Sequence, residues 1–459
     1  MSAFGEVFRG ANLARSAVVG GGMMLHAVNT FIAVTVMPSV VVEIGGLAFF
    51  AWATTLYVLG SLLGGAAVSR LLASIGARTT YRIALGLFAL GSLLCAVAPL
   101  MPVLLAGRFV QGLGAGALSA LSFTMVRILF AEPVWGRALA LISAAWGVAT
   151  LAGPAIGGIF AEYGAWRLAF WIMVILAPPM LMLVELCLPR GLARSPRPER
   201  PMAYVNLALL AGSVMAVAVG SSAGGVAGSV IGLAIAVAGM VLFVRRERAP
   251  VRLLPAGACD PATALGATYG AMSMLLVGIN TEIFVPYFLQ VLHDMRPLYA
   301  GYISALMSAG WTTGSVLSSV LSPARARMAL LAGPVVMSVG MLALLVLIPP
   351  GGGSFLALTA ISVALTVMGL GIGLCWPQMG SRVFGFAAPG DRDLAAGSIT
   401  LVIMVTNAFG SALAGMVTAL AGMSDGHAAA AAFALFAAFA LVPWVAFFLL
   451  RRVIAHSPT

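Results

Sequence analysis

Long apolar runs alternate with short polar or glycine-rich breaks along almost the whole chain. Each run reaches about 20 residues or more, enough to cross the hydrocarbon of a bilayer as a helix. The runs lack the period-two alternation of membrane barrel strands, and helices are the other way to satisfy a backbone in lipid. Fourteen spans are predicted, at 16–43, 47–73, 79–99, 102–130, 136–161, 165–187, 203–222, 226–245, 263–290, 297–321, 326–348, 354–380, 394–422 and 427–450. An even number returns both termini to one side of the membrane.

Composition agrees with this pattern. Hydrophobic residues make up 62% of the 459 positions and charged residues only 8%, against roughly a quarter charged in soluble domains. Most of the surface must therefore face lipid. The net charge of +11 does not point to nucleic acid, because the basic residues lie between apolar runs rather than on one soluble face. All 24 are Arg, and their distribution orients the chain. With the N-terminus in the cytoplasm, the inward loops hold Arg9, Arg15, Arg70, Arg78, Arg82, Arg127, Arg137 and the groups within 190–200, 245–252, 325–327, 382–392 and 451–452, which is 21 of the 24. Arg108, Arg167 and Arg296 fall on the outward side. This positive-inside bias predicts a bacterial-type inner membrane location with both termini cytoplasmic.

The longest inward loops, 188–202 and 246–262, bracket two spans with no internal charge. The predicted organisation is a six-helix bundle at 1–190, an inserted helix pair with its flanking loops at 191–255, and a second six-helix bundle at 256–459. The first apolar run is too long for a signal-peptide core and reads as a retained span. Four scattered cysteines, Cys95, Cys187, Cys259 and Cys375, have no metal-ligand spacing and read as reduced thiols. No enzyme signature or nucleotide-binding motif occurs, so neither a catalytic residue nor a cofactor is expected.

Several motifs carry a resemblance. Gly107-Arg108-Phe109-Val110-Gln111-Gly112-Leu113-Gly114-Ala115-Gly116 resembles the fourth-helix motif of the major facilitator superfamily. Gly153-Pro154-Ala155-Ile156-Gly157-Gly158 is similar to its fifth-helix antiporter motif, Trp166 to Trp171 to the start of its sixth helix, and Trp52 with Tyr57 to its second. With fourteen spans, the resemblance is to the drug/proton antiporter branch that has fourteen helices. It implies an all-α polytopic fold of two six-helix bundles around a central cavity, exposed to each side in turn by rocking. It also implies a monomer that takes a small-molecule substrate and protons as partners within membrane lipid. Two positions depart from the family pattern: Asn29 stands where the first helix usually has Asp, and Ala73 where the following loop does.

Ionisable groups at membrane depth are costly and are functional candidates by default. Glu282 lies eight residues before Gln290, about 12 Å inside the outward end of its span. It is a candidate for proton binding or for pairing with a cationic solute. Arg108 opens the fourth span, and Gln111 shares its face one turn on. His26 and Asn29 share a face of the first span, where His26 could stand in for the missing Asp. Asn280 and Asn407 either contact solute or join helices, and Trp146, Trp311 and Trp376 either stack on a flat solute or pack. Gly153, Pro154, Gly157 and Gly158, together with Gly147, suggest a small-residue sliding face on the fifth span. Arg70 and Arg78 complete the conformational motif, with Asp391 as a candidate contact for either. Glu43, Glu162 and Glu185 read as interfacial charges.

The expectation is export of a small amphipathic or cationic compound in exchange for protons. The alternative is a proton-independent facilitator or importer of a metabolite, for which the changes at Asn29 and Ala73 are the support.

Overall fold

The structure, a computed structural model, describes residues 11–130, 135–190, 192, 203–223, 225–249, 251–319, 321–388 and 391–455. Among these residues every regular element is helical. Thirteen stretches are long and apolar enough to cross a membrane. The fourteenth expected span is the 23-residue helix Pro297–Ser319. Its Ser and Thr residues make it more polar than the other spans, and several of them bond backbone carbonyls, as Ser318 Oγ does to Leu374 O at 2.7 Å.

The chain divides into two compact units. The first comprises Met1–Gly46 and Leu56–Arg200. Its helices are α1 (Ala11–Ile44), most of α2 (Phe50–Ile75), α3 (Ala77–Ala96), α4 (Met101–Leu129), α5 (Trp135–Glu162) and α6 (Trp166–Cys187). The helices meet through glycines. A Cβ on Gly112 would run into the Tyr57 carbonyl, one on Gly116 into the Ser61 carbonyl, and one on Gly91 into the Gln111 backbone. In lipid, where no hydrophobic force drives helices together, such close approach gains dispersion contacts. α5 lies on α1 in the same way: Gly153 faces Phe31 and Val28, Gly157 faces Ile32 and Thr35, and Gly158 is buried. Gly147 does not belong to this face, since a Cβ there would meet open space. Pro154 remains inside a continuous helix.

The second unit comprises Leu47–Thr55 and Pro201–Thr459. It contains α7 (Tyr204–Ala223), α8 (Gly225–Arg246), α9 (Ala264–Ile279), α10 (Val285–His293), α11 (Pro297–Ser319), α12 (Pro323–Leu347), α13 (Phe355–Phe386), α14 (Arg392–Leu420), α15 (Ala428–Phe439) and α16 (Val442–Ala455). α7 pairs with α8 and packs on α14. Two expected spans are interrupted. The run at 263–290 is α9, a tighter 3₁₀ turn at Asn280–Phe284, and α10. The run at 427–450 divides into α15 and α16. Each break precedes a proline, Pro286 or Pro443, which lacks the N–H that a continuing helix would use. Thr263 caps α9 by accepting from Gly266 N at 2.9 Å, and Ser354 caps α13 from Ala357 N at 3.2 Å.

Candidate functional site

The first unit gathers its predicted polar residues around one tyrosine. His26 and Asn29 stand a turn apart on α1, as do Arg108 and Gln111 on α4. The glycine crossings at Gly91 and Gly112 bring α3 and α2 against α4, so that these residues meet Ser92 and Tyr57. The Tyr57 hydroxyl lies 3.0 Å from His26 Nδ1 and 3.3 Å from the His26 carbonyl, with either tautomer able to complete the pair. The Arg108 guanidinium carbon sits 4.1 Å from the centre of the Tyr57 ring, a cation–π geometry. Arg108 donates to Gln111 Oε1 at 2.5 Å, and Gln111 donates to Ser92 Oγ at 2.8 Å. Arg108 is 1% exposed, so its charge is held inside the unit and does not extend towards an interface.

Asn29 is fully buried at 0% exposure, and neither atom of its amide is within strict hydrogen-bond geometry of a partner among the described residues. Its side chain lies beside the Tyr57 hydroxyl. Trp146 on α5 meets His26 edge-on with ring centres 5.8 Å apart and Phe31 at 6.3 Å, while keeping one side exposed.

The second unit places Glu282 on the 3₁₀ turn, partly exposed. No hydrogen-bond or ion-pair partner for its carboxylate is found among the described residues. Asn280, on the same turn, donates to Leu276 O at 2.7 Å and reaches Asn407 Oδ1 on α14 at 3.3 Å. Gly410 leaves room for it, since a Cβ there would crowd the Asn280 amide. Phe284 stacks on Phe50 at 5.2 Å and on Phe288 at 6.1 Å. Trp311 and Trp376 pack edge to face at 5.3 Å, over the glycines that join α11 to α13.

The remaining predicted charges are joined near helix ends. Arg78 donates to the carbonyls of Leu188 and Glu185 and pairs with the Glu185 carboxylate at 3.2 Å, while Arg82 takes the same carboxylate at 2.5 Å. Glu43 accepts from Trp166 Nε1 at 2.6 Å and from Arg167. Asp391 pairs with Arg252 at 2.7 Å and accepts from Ala256 N. Arg70 is exposed near the end of α2. Tyr57 and Ser92 were not singled out as site residues from the sequence. A tyrosine within an apolar span needs a partner for its hydroxyl, and that requirement was the available signal.

The family model described as Major Facilitator Superfamily matches residues 19–377. The chain belongs to this superfamily of transporters. It is 36% identical over 441 residues, covering 94% of this chain and 92% of the relative, to a "probable multidrug-efflux transporter" of Mycobacterium tuberculosis. It is 24% identical over 365 residues to multidrug resistance protein 3 of Bacillus subtilis, covering 77% of this chain and 69% of the relative. Among solved structures, a POT family transporter in complex with 5-aminolevulinic acid aligns with a TM-score of 0.68 at 13% identity, covering 96% of each chain. A D-xylose–proton symporter aligns with a TM-score of 0.63 at 14% identity, covering 95% of this chain and 98% of the other. These two share the fold.

Proposed function

We propose that this transporter exports small amphipathic or cationic compounds in exchange for protons, by alternating access of two six-helix bundles with the α7–α8 pair as an insertion. The observation that carries the reading is Glu282: a carboxylate on an interrupted membrane helix, partly exposed and with no partner among the described residues. An acid left unpaired at this depth is available to a proton or to a solute cation in turn. The 36% identity to a protein named as a multidrug-efflux transporter supports the export direction and the substrate class. Asn280, Asn407, Trp311 and the first-unit residues His26, Asn29, Arg108, Gln111 and Trp146 are proposed to contact solute or tune coupling. Gly153, Pro154, Gly157 and Gly158 are proposed to transmit movement within the first bundle, with Arg70 and Arg78 at its inward end. The Arg distribution supports an inner-membrane protein with cytoplasmic termini, and we propose that it works as a monomer.

Proton movement in proteoliposomes on addition of a lipophilic cation tests the reading. The observation favouring a second reading is Asn29, which gives α1 an amide instead of an acid. A facilitator would carry solute downhill with no response to a proton gradient.

A further inference from the structure

We propose that the inserted pair α7–α8 is a brace for α14, clasped by Glu247 and Asp391, and that these two acids are positioning residues for the Glu282 turn. All of these elements belong to the second unit. Glu247, at the end of α8, is 7% exposed. Its carboxylate accepts from Asn206 Nδ2 on α7, from Leu253 N at 3.0 Å and from Leu254 N at 2.8 Å. Arg246 Nε donates to the oxygen of the same Asn206 amide at 3.3 Å. A buried carboxylate with three N–H donors fixes the chain that supplies them, because each group left unpaired costs free energy. Here it joins both helices of the pair to the loop that follows α8. On either side of Leu253 and Leu254, the same loop takes hold of α14. Arg252 donates to both oxygens of Asp391, at 2.7 and 3.0 Å, and Ala256 N donates to one of them at 3.0 Å.

Asp391 stands at the N-cap of α14, where an aspartate usually accepts from the N–H groups of the first turn. Its side chain makes no such bond and is turned to the loop instead. α7 meets α8 where Ser213 faces Gly239 and Gly220 faces Gly232. Its buried Leu207, Leu210, Val214 and Val217 recur at helical spacing on a different face, and α7 packs on α14. α14 is in turn hydrogen-bonded to α9 and to the 3₁₀ turn: Ser398 to Tyr269 at 2.5 Å, Thr406 to Ser273 at 3.4 Å and Asn407 to Asn280 at 3.3 Å. Asn280 and Glu282 share that turn. α14 is therefore the element common to the inserted pair and the Glu282 turn, and a shift of α14 at the clasp is carried along a stiff helix to Asn407. The consequence for proton coupling rests on the Glu282 reading above; the brace itself does not.

Amide hydrogen exchange of the purified full chain in detergent, read by mass spectrometry, tests the brace with neither solute nor proton gradient present. Failure of the export reading therefore leaves the result interpretable. Asp391→Asn is expected to speed exchange in the loop after α8 and also in peptides covering 280–284 and 404–410, by about 3- to 30-fold at the latter two. Arg252→Gln breaks the same pair from the part-exposed side and is expected to do likewise, which supplies a folded variant should the Asp391 change fail to fold. Asp391→Glu keeps the carboxylate and restores protection. Arg82→Lys, in the first unit, leaves both peptides unchanged. Faster exchange confined to the loop would overturn the proposal, since the clasp would then hold only itself. A uniform rise across both units would overturn it too, because it reports lost global stability rather than a positioned turn.

Discussion

The Tyr57 hydroxyl and the His26 imidazole are joined at 3.0 Å, linking α2 to α1 through a bond that neither helix could make alone. Within a membrane such bonds contribute about 0.6 kcal/mol on average and up to about 1.7 kcal/mol. A double-mutant cycle on Tyr57→Phe and His26→Phe is expected to give a coupling energy in that range, read from thermal unfolding in detergent. Coupling indistinguishable from zero would show that the contact contributes no stability.

The glycine crossings make a sharper prediction. Gly112→Ala and Gly116→Ala drive a methyl group into the carbonyls of Tyr57 and Ser61, and overpacking of this kind costs about 1–3 kcal/mol. Gly147→Ala meets nothing within 4 Å and is expected to be neutral or to gain up to about 1 kcal/mol of helix propensity. Thermal unfolding of the three variants side by side checks the order.

Much of the fold was legible because lipid imposes it. Each apolar run had to be a helix, and the helices begin and end within a few residues of the runs. The breaks at Asn280–Phe284 and between α15 and α16 were not legible. Pro286 and Pro443 were visible, but Pro38, Pro154, Pro334 and Pro377 lie within unbroken helices. Whether a proline interrupts a helix depends on which neighbours satisfy the freed carbonyl, and that is a tertiary property. The same limit applied to the polar groups. Spacing put His26 beside Asn29 and Arg108 beside Gln111, each within one helix. It gave no reason to place Tyr57 or Ser92 beside them; these join those pairs only because glycines on separate helices let the backbones approach.

Arg78 and Arg82 share Glu185, yet their replacement is expected to have unequal effects. Arg78 also donates to two backbone carbonyls at the end of α6, while Arg82 is half exposed. Arg78→Lys should lower the melting temperature more than Arg82→Lys, since lysine cannot reproduce the fork of donors. Equal shifts would mean that only the shared ion pair matters.

Cys259 lies between α8 and α9, where burial and the neighbouring Glu247 carboxylate push its thiol up to about 11. A raised thiol pKa leaves little reactive thiolate at neutral pH. At pH 7.5 the thiolate fraction is roughly 300-fold below that of a free cysteine. Alkylation of the Cys259 peptide, followed by mass spectrometry, should therefore be slow and rise about tenfold per pH unit up to pH 10. Glu247→Gln should speed it, and a rate that levels off near pH 8.5 would contradict the assignment.

Proton coupling through Glu282 is tested most directly in proteoliposomes carrying a pH-sensitive dye, to which a lipophilic cation is added. The account predicts proton movement on addition of the solute, saturable in solute and lost in Glu282→Gln while the variant still binds the cation or carries it downhill. Solute crossing without proton movement in the unaltered protein, or coupling that persists in Glu282→Gln, would contradict it.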